Sequence, residues 1–342
     1  MSLTEPTWQQ LCNQIPLTIE QPLQESPLNV ALLNQLGVLS LTGKDAASFL
    51  QSQLTNDANS ISRERGQISG YCNHKGRLLG LFQLIADQDG YIAITPSDLL
   101  ASLSKRLQMF VMRSAVTLED QSDSLAIAGL WGNEAVNWLT VSGYLPTKEL
   151  YSCQQIAQHP ETTLIRQPGE NAFLLVGPKQ QLANLLLNPA APKLTFQHEN
   201  EWKIQTVTQG QPTIGNANAD TFIPQMINLD LINGVNFQKG CYPGQEIVAR
   251  TRYLGKLKKR MMLFEAESQP TDSQPTPGDP VMTEGNAQSV GTLVDVAISG
   301  VNQFKLLAVV RIDALSKPLT TSNLPLTCLA LPYEIITEAE AD

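Results

Sequence analysis

The chain has 342 residues, 42 % of them apolar and 16 % charged, with a formal net charge of −9. That length supports two or three domains with buried cores, and the composition excludes a disordered chain. The acidic balance excludes a general polyanion binder, so direct nucleic-acid contact is not expected outside a local patch, and no apolar run reaches the roughly 18–20 residues of a membrane span.

Taken in chain order, Met1–Glu20 lacks the basic start and continuous apolar stretch of a signal peptide. With Pro6, Pro16, Pro22 and Pro27 it reads as an irregular lead-in. Gly37–Gly43 alternates and ends in a turn glycine, so a strand is expected. In Asp45–Thr55 the apolar residues Ala46, Phe49, Leu50 and Leu54 recur at helical spacing, with Thr42 or Asp45 available as a cap. Tyr71–Gly76 reads as a strand end and turn, and Arg77–Ala86 as a strand.

A recurrence follows. Tyr91–Pro96 leads into a helical pattern at Leu100, Leu103, Leu107 and Phe110, and Phe173–Pro178 leads into another at Leu182, Leu185 and Leu186. In both, an aromatic-led strand meets a proline five residues on and a helix begins beyond it, where the missing N–H of proline costs nothing. The pattern indicates two related α+β modules. Glu199–Gln205 is a helix start carrying Trp202, whose indole either packs in a core or stacks on a flat ligand. Glu265–Pro280, rich in proline and small polar residues, reads as a loop or linker. Beyond it come short strand-like runs at Pro280–Thr283, Gln288–Ala297, Lys305–Ile312 and Leu326–Leu331, separated by turn signals such as Glu284–Asn286. They indicate a small β-barrel or sandwich, followed by an acidic tail at Thr337–Asp342.

The five cysteines, Cys12, Cys72, Cys153, Cys241 and Cys328, are odd in number and include no CxxC pair. Free thiols in a reducing compartment, the cytoplasm, are expected, and neither a disulfide framework nor a zinc site. Cys72 and His74 form only a weak metal pair.

The segment richest in chemistry is Lys239-Gly-Cys-Tyr-Pro-Gly-Gln-Glu246. Two glycines and a proline define a shaped loop in which backbone N–H groups can approach a ligand. Lys239 places a cation two residues from Cys241, which would raise the thiolate fraction. Gln245 and Glu246 offer the amide and carboxylate that suit the edge of a heterocycle. The competing reading makes Cys241 a small buried residue in a tight turn. From Lys239 to Arg260 there are seven basic residues against Glu246 alone, a local +6 in a chain whose remainder carries −15. The strip is either a solvated face or an anion site, and with only Tyr253 interleaved an RNA site has little support.

These residues resemble the YgfZ family of folate-binding proteins, relatives of the glycine-cleavage T-protein. The loop matches the family's signature in Lys239, Cys241, Tyr242, Gly244, Gln245 and Glu246. The flanks agree at Pro224, Asn228, Leu229, Gly234, Val235, Val248, Arg250 and Gly255. A second block matches at Thr42–Asp45, Phe49–Gln51 and Leu54–Asp57, so the resemblance spans residues 36–260. It implies an α+β fold: ferredoxin-like α+β modules around a central folate channel, with a small C-terminal β-barrel. The expected division is 1–260, holding two interleaved modules, and 261–342, holding the barrel.

The resemblance also implies a cofactor, tetrahydrofolate or a formyl or methyl one-carbon derivative. It implies Cys241 as the functional thiol beside Lys239, and a folate site using Trp202, Leu36, Tyr242, Gln245, Glu246 and Arg250. At Leu36 some members carry a second tryptophan, so one stacking wall differs here. T-protein relatives activate the folate nitrogen with an aspartate, but Gly76–Ala86 holds no carboxylate. The implied role is therefore an accessory one, serving iron–sulfur client enzymes, including tRNA-modifying ones, or cluster carriers. A folate-dependent aminomethyl or one-carbon transferase is the alternative. One motif cysteine cannot hold a cluster by itself, so ligation would need a partner protein or a second copy of the chain.

Overall fold

A computed structural model describes residues 7–16, 26–156, 158–253, 257–269, 273–283 and 288–335. Pro6, Pro22, Gly255, Lys256, Pro270, the turn at 284–286 and the acidic tail lie outside the described residues.

Two sheets form the body. Sheet I runs in the spatial order Gln67–Cys72, Leu78–Ala86, Gly90–Pro96, Leu36–Thr42, Thr117–Asp120, antiparallel throughout. Sheet II runs Thr195–Phe196, Asn29–Leu32, Leu125–Trp131, Ala172–Pro178, His159–Arg166, Cys153–Ile156, with its parallel pairing at the first two strands. Side chains alternate across each strand, and both faces are apolar. Val38, Ile85, Ile92 and Ile94 of sheet I meet Ile127, Ile165, Leu174 and Val176 of sheet II in one cluster between the sheets. The neighbouring residues Leu39, Leu84 and Ala93 face the other way, onto Phe49, Leu50, Leu100, Leu103 and Leu107 of the helices Ala46–Gln53 and Ser97–Val111. On sheet II, Leu164, Phe173 and Leu175 turn outward onto the helices Ala135–Val141 and Lys179–Leu186. The layers are therefore helix, sheet, sheet, helix. Phe110, placed on the buried stripe by its spacing, lies 43 % exposed at the end of its helix.

The two modules share more than the strand–proline–helix joint. Pro96 (φ −53°, ψ 135°) and Pro178 (φ −55°, ψ 136°) cap their helices in the same backbone conformation. The strands Leu36–Thr42 and Leu125–Trp131 also both end in a positive-φ glycine, Gly43 (φ 112°) and Gly132 (φ 121°), followed three residues later by an alanine that opens a helix. Asp45 occupies a cap position without a side-chain cap bond. Its carboxylate accepts instead from the Ala115 N–H at 2.7 Å.

The C-terminal part is a closed six-stranded barrel in the order Lys259–Glu267, Gln303–Arg311, Gly291–Gly300, Pro280–Thr283, Leu319–Thr321, Leu324–Leu329. Its first strand, Lys259–Glu267, occupies part of the sequence read above as basic strip and linker. Phe264, Phe304, Leu306 and Leu293 fill the barrel, while Leu263, Leu307, Val309 and Val294 pack outward on the core that backs sheet I. The chain is α+β with a C-terminal β-barrel, as expected. No described helix is long and apolar enough to cross a membrane.

Candidate functional site

A cavity of about 390 Å³ opens between the two sheets and is closed on one side by the barrel. Sheet I contributes Leu36, Leu81, Gln83 and Thr95, and sheet II contributes Ala172 and Leu174. The helix Glu199–Thr208 contributes Trp202 and Lys203, and the barrel strand Gly291–Gly300 contributes Val294 and Asp295. The volume lies within the 300–1,000 Å³ of small-molecule sites.

Trp202 forms one wall. It is 5 % exposed and stands edge-on to Trp131, with ring centroids 5.7 Å apart. Its indole lies against the backbone of Gly129 on sheet II, so closely that a Cβ there would come within 2.5 Å of Cδ2. The helix start that delivers it is held by His198, whose Nδ1 accepts from the Asn200 N–H at 3.1 Å. Asn200 then bonds both the N–H and the carbonyl of Ile298, fastening this helix to the barrel.

Four polar atoms on residues lining the cavity are buried and have no hydrogen-bond partner among the described residues: Gln83 Nε2, Thr95 Oγ1, Gln167 Nε2 and Asp295 Oδ2. A buried polar atom without a partner costs about 1–3 kcal/mol, so their gathering on one cavity needs an explanation. Asp98 also lines the cavity. It is exposed and accepts from the Asn216 N–H at 2.9 Å.

The loop Lys239–Glu246 does not line this cavity, so of the residues grouped by the sequence only Trp202 and Leu36 do. Cys241 is exposed, four residues before the start of the helix Gln245–Tyr253. Lys239 is 9 % exposed and donates to the carbonyls of Gln51 (2.6 Å) and Leu54 (2.5 Å), closing the C-terminal end of the helix Ala46–Gln53. Its ammonium also lies 5.1 Å above the ring of Tyr242, which is buried. These hydrogen bonds of Lys239 serve the fold, whereas the sequence pairs it with the thiol. Burial pulls its pKa down to about 8 and pushes the Tyr242 phenol up.

Gln245 reaches back to the Lys239 carbonyl at 3.5 Å. Glu246 and Arg250 are exposed one helical turn apart. Only Val248 of this helix is buried, which turns the polar residues to solvent and away from the cavity.

The two matching sequence blocks meet in space. Thr55 donates to Gly234 O at 2.7 Å and accepts from the Asn236 N–H through its carbonyl, and Asn56 donates to Asn233 O. Gly244 (φ 80°) sits on the turn Asn73–Gly76, where a Cβ would come within 2.6 Å of Gly76. Much of the motif is therefore spent on docking the loop.

The basic strip is also divided. Arg260 is buried, with guanidinium bonds of 2.7 and 3.0 Å to Asp230 and 2.7 Å to the Gln225 carbonyl. Arg250, Arg252 and Lys258 remain exposed. Among the described residues no group of three potential metal ligands exists.

Gln83, Thr95, Gln167 and Asp295 were missed by the sequence reading. Two of them carried a signal: Gln83 is the lone amide in the otherwise apolar strand Leu78–Ala86, and Asp295 the lone charge in Gly291–Gly300.

No family model matches the chain. Among curated proteins, "tRNA-modifying protein YgfZ" of Yersinia pestis is 31 % identical over 255 residues, 72 % of this chain and 74 % of that one. The protein of the same name from Pectobacterium carotovorum is 26 % identical over 339 residues, covering 96 % and 98 %. The glycine cleavage aminomethyltransferase T of Bartonella henselae superposes with a TM-score of 0.68 at 14 % identity, covering 90 % of this chain and 86 % of that one, which establishes a shared fold. Identity at that level across three-quarters of a relative, on the fold described above, makes this chain a member of the YgfZ family.

Proposed function

We propose that this chain binds tetrahydrofolate, or a one-carbon derivative of it, in the cavity between its sheets, and that it supports the assembly or repair of iron–sulfur enzymes, including tRNA-modifying ones. The observation that carries the first half is the cavity itself: about 390 Å³ between the sheets, with Trp202 on its wall and Gln83, Thr95, Gln167 and Asp295 among its lining residues. A pteridine is flat, so it suits the indole. Its rim carries both donors and acceptors, so it suits a lining that mixes amide, hydroxyl and carboxylate side chains. When bound, the folate would supply a one-carbon carrier, and Trp202, Leu36, Gln83 and Gln167 would hold and orient its ring.

The second half rests on the outer surface. Cys241 is an exposed free thiol on a loop docked to the body, with Glu246 and Arg250 exposed on the helix that follows. Such a thiol is reachable by a client or a cluster carrier, and the exposed charges of the helix would face that partner. The cavity and the thiol are then two working surfaces of one molecule.

A one-carbon transferase remains a second reading because two carboxylates, Asp98 and Asp295, do line the cavity. It requires consumption of methylene- or formyl-tetrahydrofolate by the purified protein.

The test is titration of tetrahydrofolate into the wild type and into the Trp202→Ala and Cys241→Ala variants, alongside rescue of an iron–sulfur enzyme defect in cells. Loss of the indole should weaken binding by roughly 1–3 kcal/mol, on the scale of a lost aromatic stack. The cysteine variant should bind folate normally and fail to rescue. Unchanged affinity without Trp202 refutes the cavity assignment, and full rescue without Cys241 removes the thiol from the mechanism.

A further inference from the structure

The cavity between the sheets has a definable mouth. Of the residues that line it, Ser97, Asp98, Asn216 and Ala217 are exposed, and the others are buried or half-buried. These four come from two segments: the start of the helix Ser97–Val111, and the turn at 215–218, beyond the helix that carries Trp202. Solvent reaches the cavity between these segments, and a ligand passes the same way.

The two sides of the mouth are tied to each other. The Asn216 N–H donates to Asp98 Oδ2 at 2.9 Å, and Asn216 Nδ2 donates to the Asp98 backbone carbonyl at 2.8 Å. Each side chain therefore reaches across the opening to the backbone of the other segment. A Cβ at Gly215 would stand 3.2 Å from Asp98 Oδ2, so the carboxylate lies close against bare backbone.

The backbone on both sides is held. The Ser97 N–H donates to the Gln35 carbonyl at 2.8 Å, and Leu99 and Leu100 are buried. On the other side Ile214 and Asn218 are buried. Asn218 donates to the Val294 carbonyl of the barrel at 2.7 Å and accepts from the Gly215 N–H at 3.0 Å. Behind the turn, a Cβ at Gly278 would lie 3.1 Å from the Ala217 carbonyl, so the turn has no room to retreat toward the barrel. The side chains of Asp98 and Asn216 are the parts free to move, because each can swing into solvent for the loss of one hydrogen bond.

Resting on the reading that the cavity holds tetrahydrofolate, we propose that Asp98 and Asn216 are the gate of that cavity. The crossed pair closes the mouth, and the mouth opens when both side chains have turned outward. The same two bonds must break for a ligand to enter and for it to leave. The gate therefore sets the rate of exchange in both directions and leaves the affinity alone.

The test follows tetrahydrofolate binding to the full chain by stopped-flow tryptophan emission, with dissociation read by displacement with excess 5-formyl-tetrahydrofolate. The wild type is compared with Asn216→Ala, Asp98→Ala, the double variant and Asp98→Asn. Both side chains are exposed, so these variants keep the fold. Each alanine variant should raise the association and dissociation rate constants together by about 2- to 10-fold, the range of one ordinary hydrogen bond. The double variant should raise both by about the product of the two, with Kd within about threefold of the wild type. Asp98→Asn, whose amide oxygen still accepts from the Asn216 N–H, should exchange more slowly than Asp98→Ala. Wild-type rates in the double variant overturn the gate. Faster dissociation with unchanged association also overturns it, because the two residues would then be ligand contacts. In both cases the folate reading stands. A wild type that does not bind tetrahydrofolate overturns that reading and the gate together.

Discussion

The contact between Trp202 and Gly129 can be probed without touching any residue that lines the cavity. In Gly129→Ala the new Cβ would lie about 2.5 Å from Cδ2 and 3.0 Å from Cζ3 of the indole. Ordinary carbon contact begins near 3.4 Å, so the ring must retreat by about 1 Å. Sheet II blocks one direction and Trp131 abuts the ring edge-on, which leaves retreat toward the cavity that Trp202 lines. Overpacking of this kind costs about 1–3 kcal/mol. With an unfolding entropy of roughly 2.1 cal/mol/K per residue, that corresponds to a fall in Tm of about 1.5–4 °C for this chain length.

The same shift narrows the slot for a flat ligand, so tetrahydrofolate affinity should drop by about 10-fold or more. Urea unfolding followed by circular dichroism reads the first effect, and calorimetric titration the second. Adding Trp202→Phe removes the fused ring that collides, so the double variant should be less destabilised than the sum of the two single ones. Wild-type stability and affinity in Gly129→Ala would refute the claim that the indole is seated on bare backbone and walls the cavity. Strict additivity in the double variant would refute the coupling.

Three further outcomes are expected. Arg260→Met leaves the Asp230 carboxylate, 3 % exposed, without its guanidinium partner, and should cost about 3–5 kcal/mol in urea unfolding. Lys239→Met strands the carbonyls of Gln51 and Leu54 and should cost about 1–3 kcal/mol. Because burial lowers Lys239 to about 8 from 10.5, between those values the unfolded chain holds a proton that the folded chain has released. This group therefore makes wild-type stability rise with pH across that window, and the rise should vanish in the variant when unfolding is compared at pH 7.5 and 9.5. Finally, brief alkylation of the native protein with iodoacetamide, read by mass spectrometry, should label exposed Cys241 and spare Cys72, which is buried with its thiol pushed up to about 12. Cys241→Ala should shift stability by less than about 0.5 kcal/mol.

What the chain alone determined was local in origin. The strand–proline–helix joints at Pro96 and Pro178 span a few residues, and proline sets its own φ, so they are legible wherever they occur. The shaped loop at Lys239–Glu246 is equally local, and its glycines and proline announce it. The direction in which that loop works was not local. Whether Lys239 meets a thiol or the end of the helix Ala46–Gln53 depends on contacts nearly 190 positions apart, and tertiary packing chose the helix. The cavity goes further still: Gln83, Thr95, Gln167, Trp202 and Asp295 come from one sheet, the loop after a strand of the other, a helix and a barrel, and no spacing along the chain relates them. Only the closing of sheet on sheet and the docking of the barrel bring them to one wall, because a concave site is made where separately folded layers fail to fill the space between them.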